Sequence, residues 1–278
     1  MTEPLLSVRD LRVNFPTPQG RVDVVKGVSF DLGQERLGIV GESGSGKSMT
    51  GRAILRLIRP PGRVTAEKMA FQGQDLLSLS ERKMRALRGA RISMVMQDPR
   101  YSLNPVMTIG RQIAEALHVH EKLSNSATRG RVRDMLEAVQ INDPDHVANM
   151  YPHEVSGGMG QRVMIAMMLI PKPKILIADE PTSALDVSVQ AQVLDLIDTL
   201  VREQGMGLIL ISHDLQLVAR YCDQILVMNA GRVVERCAAG DLDSATHPYT
   251  RGLLAAVPRM NETRDTLPTL DRTTWEGT

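Results

Sequence analysis

The most constraining feature is the segment Gly41-Glu42-Ser43-Gly44-Ser45-Gly46-Lys47-Ser48, which fits G-x-x-x-x-G-K-[ST] without a mismatch. Its surroundings fit as well. The apolar run Leu37 to Val40 enters the loop, and Ala53, Ile54, Leu57 and Ile58 recur at helical spacing after it, up to Pro60-Pro61-Gly62. A strand, a glycine-rich turn and a helix in that order make backbone N–H groups converge on one point, where the helix dipole also favours an anion. Lys47 adds a point charge suited to β- and γ-phosphates, and the Ser48 hydroxyl can ligate Mg²⁺.

The remaining pattern predicts an α/β chain. Leu11, Val13 and Phe15 alternate with Arg12 and Asn14, and Val22 to Leu32 reads as a second extended stretch, so the first 35 residues suit an antiparallel sheet. Continuous apolar runs at Ile92 to Met96, Ile175 to Ala178 and Leu208 to Ile211 read as strands buried on both faces, and they alternate with helical patterns. Thr108 is placed to cap a helix from Ile109 to about Leu117, Val132 to Val139 reads as helix, and the stretch 118–130 is polar and indistinct. Asp186 can cap a helix whose Val193, Leu196, Ile197, Leu200 and Val201 share a face. Asn229-Ala230-Gly231 joins two strands of a hairpin. Residues 259–278 are polar without period and read as a loose tail.

Composition excludes several classes. Lys plus Arg total 33 and Asp plus Glu 32, so the net charge of +1 gives no electrostatic ground for nucleic acid as a partner. Cys222 and Cys237 are the only cysteines, too few for a disulfide framework or a cysteine-rich metal centre. No apolar run reaches the roughly 18 residues of a membrane span, and Met1-Thr2-Glu3-Pro4 shows no secretory signal.

Two further motifs carry chemistry. Asp179-Glu180 ends an apolar strand, where two carboxylates are costly unless a polar partner meets them. Asp179 suits a Mg²⁺ ligand, and Glu180 suits a base that orients or deprotonates a water in line with a γ-phosphate. Ser156-Gly157-Gly158 stands one turn before the apolar helix 163–170, a second helix start that can cap and expose N–H groups to an anion.

In order along the chain, the phosphate loop, Gln97, Ser156-Gly157-Gly158-Met159-Gly160-Gln161-Arg162, Asp179-Glu180, Ser183-Ala184-Leu185-Asp186 and His213 resemble an ABC-transporter ATPase subunit over roughly residues 5–258. The resemblance implies a P-loop (RecA-like) core sheet with an N-terminal antiparallel β region and an inserted helical subdomain. The ATPase domain would span 5–245, with its core at 5–96 and 163–245 and its helical subdomain at 97–162, followed by an extension at 246–278. It implies ATP and Mg²⁺ as bound groups. The nucleotide would contact Gly41, Glu42, Ser43, Gly44, Ser45, Gly46, Lys47, Ser48 and Met49, with Phe15 stacked on adenine. Phe15 also fits the sheet core, since it shares a face with Leu11 and Val13.

By the same resemblance Gln97 senses Mg²⁺ and the lytic water, and Ser48, Gln97 and Asp179 hold the metal. Ser156, Gly157 and Gly158 cap the γ-phosphate of an opposite subunit, Asp186 crosses that interface, and His213 contacts the γ-phosphate and holds Glu180. The fourth signature residue, usually Gln, is Met159. Met there, the segment Gln97-Asp98-Pro99-Arg100-Tyr101-Ser102-Leu103-Asn104-Pro105 and His247-Pro248-Tyr249-Thr250-Arg251 are similar to the oligopeptide, dipeptide and nickel importer branch. Many peptide members of that branch carry a cysteine-rich iron–sulfur segment, which two cysteines cannot supply. The expectation is a motor subunit, peripheral on the cytoplasmic face of a bacterial inner membrane. It would work with a second ATPase subunit, two transmembrane permease chains and, indirectly, an external solute-binding protein, importing peptides or else nickel or another small solute. A soluble ABC ATPase of DNA repair or translation would carry two cassettes or a long coiled-coil insertion, and neither is present.

Overall fold

The computed structural model describes residues 3–96, 103–183 and 185–256, without the side chains of Val187 and Ser188. Its contacts divide the chain into two units, Met1–Leu77 with Leu210–Thr278, and Ser78–Ile209.

The first unit opens with an antiparallel hairpin of β1 (Leu6–Thr17) and β2 (Gly20–Leu32), in register from Leu6 opposite Leu32 to Thr17 opposite Gly20. Leu6, Val8, Leu11 and Val13 of β1 and Val25, Val28, Phe30 and Leu32 of β2 are at most 1% exposed, so one face of the hairpin is apolar. Val8 and Leu11 are three apart and still share that face, because the register shifts between them and Asp10 adopts a φ of 48°. Strands β4 (Arg63–Thr65) and β5 (Lys68–Phe71) pair antiparallel with β1, and β6 (Gln74–Asp75) with β5, completing the expected N-terminal antiparallel region.

β3 (Arg36–Val40) leads into the glycine loop, and α1 (Lys47–Ile54) leaves it. The spacing predicts helix up to Pro60, but α1 stops six residues earlier. The Arg56 N–H donates to the Ala53 carbonyl and the Leu57 N–H to the Arg52 carbonyl, both at 2.9 Å, and Arg56 takes a φ of 51°. This is a Schellman ending with arginine where glycine is usual, so the sequence carries no stop signal there. Leu57, expected on the buried face, is 42% exposed.

In the second unit, α2 (Glu81–Leu87) precedes β7 (Ile92–Val95), which pairs parallel with β8 (Ile175–Asp179), Ile92 opposite Ile175. Between them lie α3 (Ile109–His118), α4 (Asn125–Ala138), α5 (Pro144–Asn149) and α6 (Gly157–Leu169); after β8 comes α7 (Val187–Gln204). Thr108 takes the N-cap position of α3 without a side-chain cap bond. The loop before α3 is held by Gln112 instead: its amide accepts from Asn104 N–H at 2.8 Å and donates to the Asn104 and Met107 carbonyls at 3.0 and 2.9 Å. The indistinct stretch 118–130 contains the start of α4, capped by the Ser124 hydroxyl accepting from Ala127 N–H at 3.3 Å. Its first turns offer no apolar residue larger than Ala127 before Val132, so periodicity is blind to them.

The division between the units falls within β9 (Gly207–Ser212), all of whose residues are buried. The first unit then resumes with α8 (Leu215–Tyr221), the hairpin of β10 (Gln224–Asn229) and β11 (Arg232–Ala238), and α9 (Pro248–Ala256). Positive φ at Ala230 and Gly231 closes that hairpin tightly. β10 lies parallel to β3, with Val227 opposite Val40, at the mouth of the glycine loop.

Candidate functional site

The shape of the glycine loop is imposed by its neighbours in the first unit. A Cβ on Gly41 (φ 154°) would lie 2.1 Å from the Met228 carbonyl oxygen, and one on Gly46 (φ 99°) would lie 2.7 Å from the Val24 carbonyl oxygen. Both positions therefore require glycine for space as well as for backbone angle. The Gly231 N–H donates to the Ser45 carbonyl at 3.1 Å, tying the loop to the β10–β11 turn. The Glu42 N–H donates to the hydroxyl of Tyr249 in α9 at 2.9 Å.

Lys47 is only 4% exposed, and its Nζ donates to the Gly41 and Glu42 carbonyls at 2.7 and 2.9 Å, which draws the ammonium across the loop. The Ser45 hydroxyl is buried and has no hydrogen-bond partner among the described residues. A buried hydroxyl without a partner is costly. Beside a buried ammonium and the N-terminus of α1 it is a donor suited to phosphate oxygens. Thr50 closes the first turn of α1, its N–H donating to the Gly46 carbonyl at 2.9 Å.

The second unit gathers the other motifs. Ser156 caps α6, its hydroxyl accepting from Met159 N–H at 3.3 Å, so the helix begins at the two glycines and not at 163. Ser156 and Gly157 are exposed, and nothing lies within 4 Å of a Cβ built on Gly157. A Cβ on Gly158 would approach Val189 Cγ1 at 3.2 Å, so α6 starts against the first turn of α7. Asp186 caps α7, accepting from Val189 N–H at 3.0 Å. The Gln161 amide, 1% exposed, donates to the Pro181 carbonyl directly after Glu180. The serine-led helix start, the strand end at Asp179-Glu180 and the capped start of α7 thus form one cluster. Gln161 is the linking residue that motif spacing did not single out, although it lies inside the stretch Ser156 to Arg162.

Asp179 is 2% exposed at the end of a fully buried strand. Glu180 takes a φ of 47°, which turns the chain sharply at the carboxylate pair. A non-glycine residue in that region is held there by its surroundings, a feature that clusters at functional sites. The Ser183 N–H and hydroxyl both donate to the Glu180 carbonyl, at 3.3 and 3.2 Å.

His213, in the first unit, is exposed directly after β9. Phe15 is half-buried, and a Cβ on Gly62 would meet its ring edge at 2.6 Å, so the ring covers that glycine and keeps part of its surface open. Gln97 lies outside the described residues, as does Ala184. No group of three or more His, Cys, Asp or Glu among the described residues could hold a metal by itself. Each unit offers one hard oxygen donor of the kind Mg²⁺ takes together with substrate phosphates, the Ser48 hydroxyl in the first and the Asp179 carboxylate in the second. No helix among the described residues is long and apolar enough to cross a membrane.

Comparison with known proteins bears on the family and the fold. The ABC transporter family matches residues 25–183. The oligopeptide transport ATP-binding protein OppD of Bacillus subtilis is 49% identical over 259 residues, covering 92% of this chain and 72% of that protein. The dipeptide transport ATP-binding protein DppD of the same organism is 48% identical over 274 residues, covering 98% and 82%. OppD of Escherichia coli is 48% identical over 270 residues, covering 96% and 80%. Among solved structures, the dimeric ABC transporter cassette MJ0796 shares the fold, with a TM-score of 0.74 at 24% identity over 84% of this chain and 98% of its own. CbiO1 of Clostridium perfringens, part of the cbiONQ ABC transporter complex, gives a TM-score of 0.73 at 27% identity over 87% and 92%. With over half its length matched to the family and relatives near 48% identity along most of it, the chain belongs to the ABC transporter family, as one of its ATP-binding, ATP-hydrolysing subunits.

Proposed function

We propose that this ATPase drives import of peptides, of the oligopeptide or dipeptide type, through a pair of membrane permease chains at the cytoplasmic face of a bacterial inner membrane. The printed roles of the OppD and DppD relatives support the cargo. An apolar cavity of about 390 Å³ in the second unit, lined among others by Leu103, Pro105, Pro152, Val155 and Gly160, supports the segment 97–162 as the permease-facing part of the cassette. Selection of the peptide then rests with the permease and an external binding protein.

The observation that carries the reading is the pair of anion-ready helix starts. One is the loop with buried Lys47 and partnerless Ser45 Oγ; the other is exposed Ser156-Gly157 at the head of α6. Residues 41–49 bind the triphosphate of ATP, with Phe15 against the adenine. Ser156, Gly157 and Gly158 cap the γ-phosphate held by a second ATPase subunit, identical or paralogous, and Asp186 lies at that interface. By the resemblance, Ser48, Asp179 and Gln97 would hold Mg²⁺, which would supply positive charge to the phosphates. Glu180 takes a proton from water as the water oxygen bonds to the γ-phosphorus and the bond to the ADP oxygen breaks. His213 orients Glu180 and the γ-phosphate.

Glu180→Gln tests the mechanism, because it keeps shape and removes the base. ATP should bind with unchanged affinity while turnover falls by roughly 10²–10⁴-fold, and a long-lived ATP-bound dimer should accumulate on size exclusion. Turnover near that of the unaltered protein would remove Glu180 from the base role.

A further inference from the structure

The C-terminal helix α9 reaches back to the phosphate loop through one side chain. Tyr249 is fully buried, and its hydroxyl accepts the Glu42 N–H at 2.9 Å. The same residue, Glu42, offers its carbonyl to Lys47 Nζ at 2.9 Å and to the Ser45 N–H at 3.2 Å. Lys47 Nζ also donates to the Gly41 carbonyl at 2.7 Å, so the Gly41–Glu42 peptide unit is held on both sides, its N–H by the tyrosine and its carbonyl by the phosphate-binding lysine.

α9 is itself anchored to β11. The Glu235 carboxylate accepts from Thr246 N–H at 2.7 Å, from the Thr246 hydroxyl at 3.3 Å and from His247 N–H at 3.4 Å. Partial burial pushes the Glu235 carboxyl up, but hydrogen bonding, first from the Thr250 side chain and then from Thr246 and His247, outweighs it, and its pKa lies below the ordinary carboxylate value. The His247 ring accepts the Tyr249 N–H through Nδ1 at 3.2 Å. Glu235 thus fixes residues 246–247, these fix the first turn of α9, and that turn delivers one phenol to the loop.

We infer that Tyr249 is a positioning residue of the nucleotide site: it sets the Glu42 peptide, and through it the Lys47 ammonium, in the arrangement that receives phosphate. The inference rests on the reading of residues 41–49 as the nucleotide-binding loop. In this role Tyr249 acts through the Gly41–Glu42 peptide. Removing its oxygen leaves a partly buried N–H without its acceptor, and the peptide is then free to turn away from Lys47.

The test is Tyr249→Phe in the full chain, with Lys47→Ala and Met69→Ala alongside. ATP and ADP affinities are measured by equilibrium binding, ATPase activity by KM and kcat, and the loop by amide exchange of the peptide containing Glu42. Tyr249→Phe should raise the dissociation constants for both nucleotides by about 3–10-fold, a range that one lost hydrogen bond spans. KM should rise in step while kcat stays within about 2-fold, and exchange at Glu42 should quicken. Met69→Ala, at a fully buried position of β5 in the same unit, should leave nucleotide affinity unchanged even if it lowers the melting temperature. If Lys47→Ala weakens binding and Tyr249→Phe does not, the role of Tyr249 is refuted and the loop reading stands. If Lys47→Ala leaves affinity unchanged, the loop reading itself fails.

Discussion

Replacing Gly41 by alanine probes the loop more sharply than any change to its charged residue, provided Gly44→Ala is measured beside it. Both glycines have positive φ, 154° and 83°, and in each case an L side chain in that region costs about 1–2 kcal/mol. Alanine also restricts the unfolded chain, which returns roughly 0.4–1 kcal/mol. Here the two positions part. A Cβ at Gly44 meets nothing within 4 Å, whereas one at Gly41 lies 2.1 Å from the Met228 carbonyl oxygen, 2.9 Å from Ser45 Oγ and 3.1 Å from the Met228 carbonyl carbon. The obstruction is backbone of β10, paired to β3 in the sheet, so it cannot swing aside as a flexible side chain would. Overpacking of that kind adds about 1–3 kcal/mol. The expected losses are about 1 kcal/mol for Gly44→Ala and about 3 kcal/mol for Gly41→Ala. In thermal unfolding without nucleotide, at roughly 2–4 °C per kcal/mol, the two midpoints should lie about 4–8 °C apart. Equal midpoints would refute the argument that β10 shapes the loop by contact.

Two other perturbations bear on the scaffold. Ile177, fully buried in β8 two residues before Asp179, should cost about 2–5 kcal/mol when cut to alanine, read as a lowered denaturation midpoint. Glu235→Gln should destabilise the protein at neutral pH, because the folded pKa is depressed. That contribution is complete above the ordinary value of 4.5 and is lost as pH falls through the lower folded value. Unfolding curves of the two proteins should therefore converge below pH 4.5, and a gap that persisted in acid would rule out the carboxylate charge as its source.

Much of the site was legible because phosphate chemistry demands particular residues at particular spacing. The glycine loop, Asp179-Glu180 and Ser156-Gly157-Gly158 stand at a loop, a strand end and a helix start, as their sequences require. The antiparallel N-terminal strands were legible from alternation, since one face of β1 and β2 is apolar. What escaped the sequence has specific causes. α1 ends through Arg56 in a left-handed turn, which no glycine announces. α4 begins on polar residues, and α5 begins after Asp143 at a φ of 53°, its cap made by that same side chain accepting from His146 N–H at 3.2 Å. Val22, read as the start of a second extended stretch, is 50% exposed, because apolar residues mark strands more reliably than they mark burial. The tie from Tyr249 to Glu42 joins residues over two hundred positions apart, and no local period encodes it.

That separation matters for a chain made from its N-terminus onward. The backbone atoms that shape the loop belong to Val24, Met228 and Gly231, and its rear support is Tyr249. At about 5–20 residues per second, Tyr249 is synthesised roughly 10–40 s after Ser48. Throughout that interval the loop has Val24 beside it but lacks Met228, Gly231 and Tyr249. ATP affinity should therefore appear only once β10, β11 and α9 are in place.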